Sequence, residues 1–100
     1  MSVNQLKIVI SILKEVSEGN IPKAEDYGME NRKYYDILDA MQDDGLIKNV
    51  RFNRGANKEI LIVFDEHMKI TIRGMEYLNN NTELVKTYKG LKEVREWLQI

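Results

Sequence analysis

Two groups of side chains in this sequence have the types and spacing to meet a nucleic acid. The first is Asn31-Arg32-Lys33, and the second is Lys48, Arg51, Arg54, Asn57 and Lys58, gathered around the turn-forming run Arg54-Gly55-Ala56-Asn57. Guanidinium and ammonium groups neutralise phosphates, while the amides of Asn31, Asn53 and Asn57 can donate and accept at base edges or sugar oxygens. Opposed to these cations is an acidic stripe. At helical spacing, Arg32 is followed on one side by Asp36, Asp39 and Asp43, which phosphates and acceptor-rich base edges would repel. Only the first turn of such a helix suits DNA. The same charges also fit an ordinary solvated face, with Arg32 and Asp36 forming an i, i+4 pair and the later cations serving solubility.

Catalytic chemistry finds weaker footing. His67 is the sole histidine, and the consecutive Asp65-Glu66-His67 would point to alternating sides of an extended segment instead of converging on a metal. Ser2, Ser11 and Ser17 stand in no recognisable relation to a histidine base, and no glycine-rich phosphate loop is present. Asp43-Asp44 fits a helix-ending turn more simply than an acid–base pair. The expectation is a binding protein with no enzymatic activity, no cofactor and no metal.

The elements that would position the cations follow from periodicity. Tyr34, Ile37, Leu38 and Met41 sit at i, i+3, i+4 and i+7, predicting a helix from about Glu30 to Asp44 that Gly45 ends in the left-handed conformation. Leu46-Ile47 then begins an extended run. Val50 and Phe52 alternate with Asn49, Arg51 and Asn53, and after the turn Ile60 to Phe64 supplies a return strand, so a hairpin is predicted. Leu61 and Val63 lie opposite Ile60, Ile62 and Phe64; an apolar strand on both sides predicts that both faces are covered.

Upstream, Asn4 to Glu18 predicts a helix buried over a wide arc, with Leu6, Val9, Ile12, Leu13 and Val16 on one stripe and Ile8 and Ile10 flanking it. Gly19-Asn20-Ile21-Pro22 stops it, and a short second helix is predicted over Lys23 to Tyr27. Downstream, Ile70 to Leu78 predicts a helix capped by Thr71 with Met75 and Leu78 facing inward, broken by Asn79-Asn80-Asn81. Thr82 to Leu98 predicts one amphipathic helix, with Leu84, Tyr88, Leu91, Val94 and Leu98 on one side and Lys86, Lys89, Glu93 and Glu96 solvated. It either covers the first helix and the outer side of the hairpin, giving a monomer, or mediates a weak homodimer.

At 100 residues and 43% hydrophobic, the chain is expected to be a single domain over residues 1–100, with 82–98 packing on it, burying about two thirds of its unfolded surface. Fifteen Lys+Arg against 16 Asp+Glu leave a net charge of -1, so any attraction for phosphate must be local. Cysteine is absent, excluding disulfides and thiolate chemistry. The N-terminus lacks the pattern of a signal peptide and no apolar run could span a bilayer, so a cytoplasmic protein with no membrane partner is expected.

The element order of three helices, a hairpin and an Ile-Thr-x-x-Gly-x-x-Tyr-Leu segment (Ile70 to Leu78) resembles bacterial winged-helix proteins, many of them transcription regulators. More specifically, Ile12 to Pro22 (ILKEVSEGNIP), Gly45 to Ile47 (GLI), Ile70 to Leu78 (ITIRGMEYL) and Tyr88 to Leu98 (YKGLKEVREWL) together resemble the YjcQ family of small proteins from Gram-positive bacteria and their phages. The resemblance implies an α+β winged helix-turn-helix fold with three N-terminal helices, a β-hairpin wing and two C-terminal helices, and carries over no catalytic residues. It points to double-stranded DNA as partner, for a transcription regulator or phage accessory protein. An interaction or assembly module contacting an unknown protein partner, through residues such as Tyr35 and Trp97, is the competing expectation, although Trp97 is better explained as capping the core near the C-terminus.

Overall fold

The computed structural model describes residues 3–99. Its first helix, α1 (Val3–Ser17), is the axis of the core. Ile8, Val9, Ile10, Ile12, Leu13 and Val16 are all buried, as the wide apolar arc requires. Gly19 (φ 87°) closes α1 with a paired terminus, Asn20 N–H to Glu15 O at 2.9 Å and Gly19 N–H to Val16 O at 3.0 Å. The predicted second helix is a single 3₁₀ turn, Ala24–Tyr27, held to the next helix by Tyr27–Tyr34 ring stacking at 5.8 Å and by the Tyr34 hydroxyl donating to Pro22 O at 2.9 Å.

Helix α2 (Asn31–Asp43) buries Tyr34, Leu38 and Met41. Its end repeats the α1 arrangement: Leu46 N–H reaches Met41 O at 2.9 Å and Gly45 N–H reaches Gln42 O at 3.0 Å, with Gly45 at φ 77°. The chain leaves directly into a long, interrupted antiparallel hairpin. At its root β1 (Ile47–Lys48) pairs with β4 (Lys69–Ile70); further out β2 (Arg51–Arg54) pairs with β3 (Ile60–Phe64), with an irregularity between Asn53 and Arg54. The two ladders are out of step by the unequal segments 49–50 and 65–68. At the break Asn49 adopts φ 70°, a left-handed conformation that asparagine tolerates better than most residues, and Val50 turns into the core.

Helix α3 (Ile72–Asn79) returns to the root of the hairpin. The Thr71 hydroxyl accepts from Gly74 N–H at 2.9 Å and donates to Gly45 O at 2.5 Å, while Thr71 N–H donates to Leu46 O. The Thr-x-x-Gly spacing thus joins a helix cap to a close approach. A Cβ on Gly74 would lie 2.3 Å from Leu46 O.

Three sequence expectations need correction. Thr82 to Leu98 is not one helix: α4 (Thr82–Thr87) and α5 (Val94–Leu98) flank a 3₁₀ turn at Leu91–Glu93, giving three C-terminal helices instead of two. Tyr88 is extended and Gly90 takes φ 106°. The break lets the Tyr88 hydroxyl donate to Glu15 at 2.5 Å and meet Ser11 at 2.9 Å, and folds Trp97 back so that its indole N–H donates to Thr87 Oγ1 at 2.7 Å. These tertiary contacts outweigh the uninterrupted helical pattern. Met75 is 49% exposed, turned outward because the tight Gly74 face points to the hairpin. Strand β3 is not covered on both faces: Leu61 is 55% and Ile62 50% exposed, while the C-terminal segment packs on α1.

Polar groups enter the core as one column. Lys7, Ser11 and Glu15, four residues apart on α1, are buried but satisfied: Lys7 Nζ donates to Trp97 O at 2.8 Å, Ser11 meets Tyr27 and Tyr88, and Glu15 accepts from Asn20 and Tyr88. Burial pushes the Tyr27, Tyr34 and Tyr88 phenols well above the ordinary tyrosine range; the Glu15 hydrogen bond adds to the effect at Tyr88.

Candidate nucleic-acid interface

The first candidate group sits where helix geometry predicts it. Asn31, Arg32 and Lys33 occupy the opening turn of α2, all exposed, with no acidic residue in that turn. The helix begins after Glu30 in extended conformation with no side-chain cap, so its terminal N–H groups and partial positive charge add to the two cations. The carboxylates begin one turn later. Asp36 and Asp43 are exposed; the anticipated Arg32–Asp36 ion pair is absent among the described residues.

The second group divides between the two sides of the hairpin. Strand alternation turns Phe52 and Arg54 toward α2, and Arg51 and Asn53 away from it. Arg54 is therefore engaged: its guanidinium meets Asp39 at 2.9 Å, donates to Lys58 O at 3.3 Å and lies 5.6 Å from the centre of the Phe52 ring. Arg51, on the outer side, lies over Phe64 at 5.0 Å. Lys48 is exposed at the root of the hairpin, directly across the ladder from Lys69. Asn57 and Lys58 form the tip, where Lys58 takes φ 66°, Gly55 N–H donates to Glu59 O at 2.8 Å and the Asn57 N–H is taken by the Glu59 carboxylate at 3.0 Å.

The hairpin is seated on α2 by Gln42. Its side-chain amide donates to Val50 O and accepts from Val50 N–H, each at 2.9 Å, substituting for a missing strand partner where the ladder breaks. Gln42 and Asp39 both lie in the second half of α2. Asp39 is about 10 Å along the helix axis from Arg32, at 1.5 Å rise per residue, so the opening turn and the hairpin are separate patches.

Sequence reasoning grouped Lys48 and Arg51 around the hairpin but missed Lys69, which stood in the connecting segment from Asp65; only the register pairs it with Lys48. It also left Gln42 unnoticed. The candidate turn around His67 is exposed, with Asp65 held by Lys23 at 3.3 Å; among the described residues no three metal-binding side chains converge.

Helices that deliver an antiparallel hairpin and then fold back over the first helix define an α+β protein with a cationic hairpin. The chain belongs to the YjcQ protein family, whose sequence model it matches over residues 5–97. It is similar to the uncharacterized protein YjcQ of Bacillus subtilis (strain 168), with 29% identity over 98 residues, 97% of this chain and 100% of that one. No solved structure matches the chain. Among the described residues no helix is long and apolar enough to cross a membrane.

Proposed function

We propose that the protein is a winged helix that binds double-stranded DNA, as a transcription regulator or phage accessory protein without enzymatic activity. In this role α2 is the recognition helix, used through its first turn, and the β2–β3 hairpin is the wing. One observation carries the proposal. In a chain with slightly more acids than bases, Arg32, Lys33, Lys48, Arg51 and Lys58 are all exposed and, among the described residues, none is paired with a carboxylate. Unneutralised cations on a helix opening and the hairpin that follows it are what phosphate contacts require.

The test is fluorescence anisotropy of a labelled mixed-sequence duplex at low and near-physiological salt. Binding that weakens steeply with salt is expected, and Arg32→Ala with Lys33→Ala is expected to alter preference among sequences. A parent protein that binds no duplex at low salt refutes the proposal.

A second role has its own observation. Leu61 and Ile62 on β3 and Ile72 and Met75 on α3 are large apolar side chains left in solvent, which suits a protein-interaction module. Tyr35 is half-buried, and Trp97 is 5% exposed and committed to the core, so Trp97 is unsuited as the contact. A pull-down that Leu61→Ser with Ile62→Ser abolishes, together with no duplex binding, would establish this role instead.

A further inference from the structure

The β1–β4 register sets Lys48 directly opposite Lys69, and both are exposed. The adjacent pair, Ile47 with Ile70, turns inward, so alternation directs both lysines to the outer side of the hairpin root. Directly opposed residues in an antiparallel ladder hold their Cβ atoms about 4.5–5.5 Å apart, and like charges there destabilise the pair. Among the described residues neither lysine has an ion-pair partner, and Asp65, a nearby acid in the 65–68 turn, is engaged by Lys23. The remaining acid of that turn, Glu66, is exposed and makes no ion pair. In the next ladder outward, Arg51 rests on the Phe64 ring, which orients its guanidinium without neutralising it.

We infer that Lys48, Lys69 and Arg51 form a phosphate clamp for the duplex backbone at the root of the hairpin, on its outer side. The inference rests on the DNA-binding proposal and moves the main electrostatic contact from the tip to the root. The alternatives on the molecule are less suited: at the tip Arg54 is taken by Asp39, leaving Lys58 as a single exposed cation, and beyond its first turn α2 presents Asp36 and Asp43. A duplex carries about one negative charge per 1.7 Å of axis, enough to place phosphate oxygens against a pair of ammonium groups in many registers. Asn49 at the break between β1 and β2 and Asn53 on β2, both exposed, add neutral donors of the kind that bond phosphate and sugar oxygens. An anion between Lys48 and Lys69 converts the uncompensated repulsion into attraction.

The test compares parent, Lys48→Gln/Lys69→Gln, and Lys86→Gln/Lys89→Gln by anisotropy on a mixed-sequence duplex across a salt series. Two lost phosphate contacts should make the slope of log K against log salt shallower by about 1.8 for the root variant. The C-terminal variant should keep the parent slope. Thermal melting of the root variant should show an unchanged or raised Tm, because the repulsion is removed, so weakened binding would not reflect unfolding. If the parent binds and the root variant keeps its slope, the clamp is wrong while DNA binding stands. An equal change in both variants refutes it as a general effect of charge. No duplex binding by the parent refutes clamp and DNA binding together, and salt-sensitive binding of polyglutamate in that case would assign the cations to an acidic protein.

Discussion

Replacing Gln42 tests how the hairpin is attached. Val50 is 5% exposed and lies between two ladders, so among the described residues its backbone N–H and C=O are bonded by the Gln42 amide, with both bonds at 2.9 Å. Gln42→Ala removes both. Each hydrogen bond is worth about 0.5–1.5 kcal/mol net, and a buried backbone group left unpaired costs about 1–3 kcal/mol. Gln42 is half-buried, and partial access of water limits the sum to roughly 2 kcal/mol. For a chain of this size that corresponds to a Tm lower by about 8–16 °C. Urea unfolding followed through the single tryptophan, Trp97, measures it directly. Gln42→Met, which keeps the volume, should lose as much as alanine. Gln42→Glu keeps an acceptor for Val50 N–H but sets a carboxylate oxygen against Val50 C=O; it should be at least as unstable at neutral pH and recover in part on acidification, when protonation restores a donor. A Gln42→Ala protein within about 0.5 kcal/mol of the parent would refute the bridge, since ordinary surface substitutions fall in that range.

Gly74→Ala places a Cβ 2.3 Å from Leu46 O and 2.7 Å from Ile70 Cγ1, and the resulting displacement should cost about 1–3 kcal/mol in thermal melting despite alanine's better helix propensity. An unchanged or raised Tm would show that α3 does not dock so closely. At high pH, Tyr27 and Tyr34 resist ionisation because of burial, with folded pKa values raised above the unfolded value near 10. Their contribution is therefore complete below about pH 10 and lost as pH rises above it, by about 1.4 kcal/mol per pH unit for each tyrosine. Urea midpoints that stay flat from pH 9 to about pH 11 would contradict this.

The parts of the fold that are local in origin could be read from residue order. The ends of α1 and α2 need a left-handed residue, and Gly19 and Gly45 supply it; the Thr71 cap and its partner Gly74 are three residues apart. Hairpin strands declared themselves by alternation. What escaped was decided between distant residues. Thr82 to Leu98 carries a helical pattern throughout, yet Ser11 and Glu15, more than seventy residues away, bind the Tyr88 hydroxyl and favour the break at Gly90. In the same way β3 looked covered on both sides because its side chains are apolar; the C-terminal segment was expected on both the first helix and the hairpin, and no sequence pattern could say that it would pack on α1 while Leu61 and Ile62 stayed exposed. The candidate site divides along this line: the exposed cations were evident, but the Lys48–Lys69 pairing and the capture of Arg54 by Asp39 depend on register and on packing across elements.

The Arg54–Asp39 pair bears on function more than on stability. An ion pair with side chains 41% and 26% exposed contributes at most about 1 kcal/mol, so it is not what holds the hairpin to α2. Its effect is on the charge distribution: it withdraws a cation from the hairpin and leaves Asp36 and Asp43 as outward charges of the helix beyond its first turn. On the proposed role, an approaching duplex then finds attraction in two places, the opening turn of α2 and the outer root of the hairpin. These belong to different elements, and the Gln42–Val50 bridge links those elements. Phosphates on one duplex have fixed spacing, so two patches act together only when their separation matches it. Gln42 touches neither patch, but as the bridge it positions one against the other.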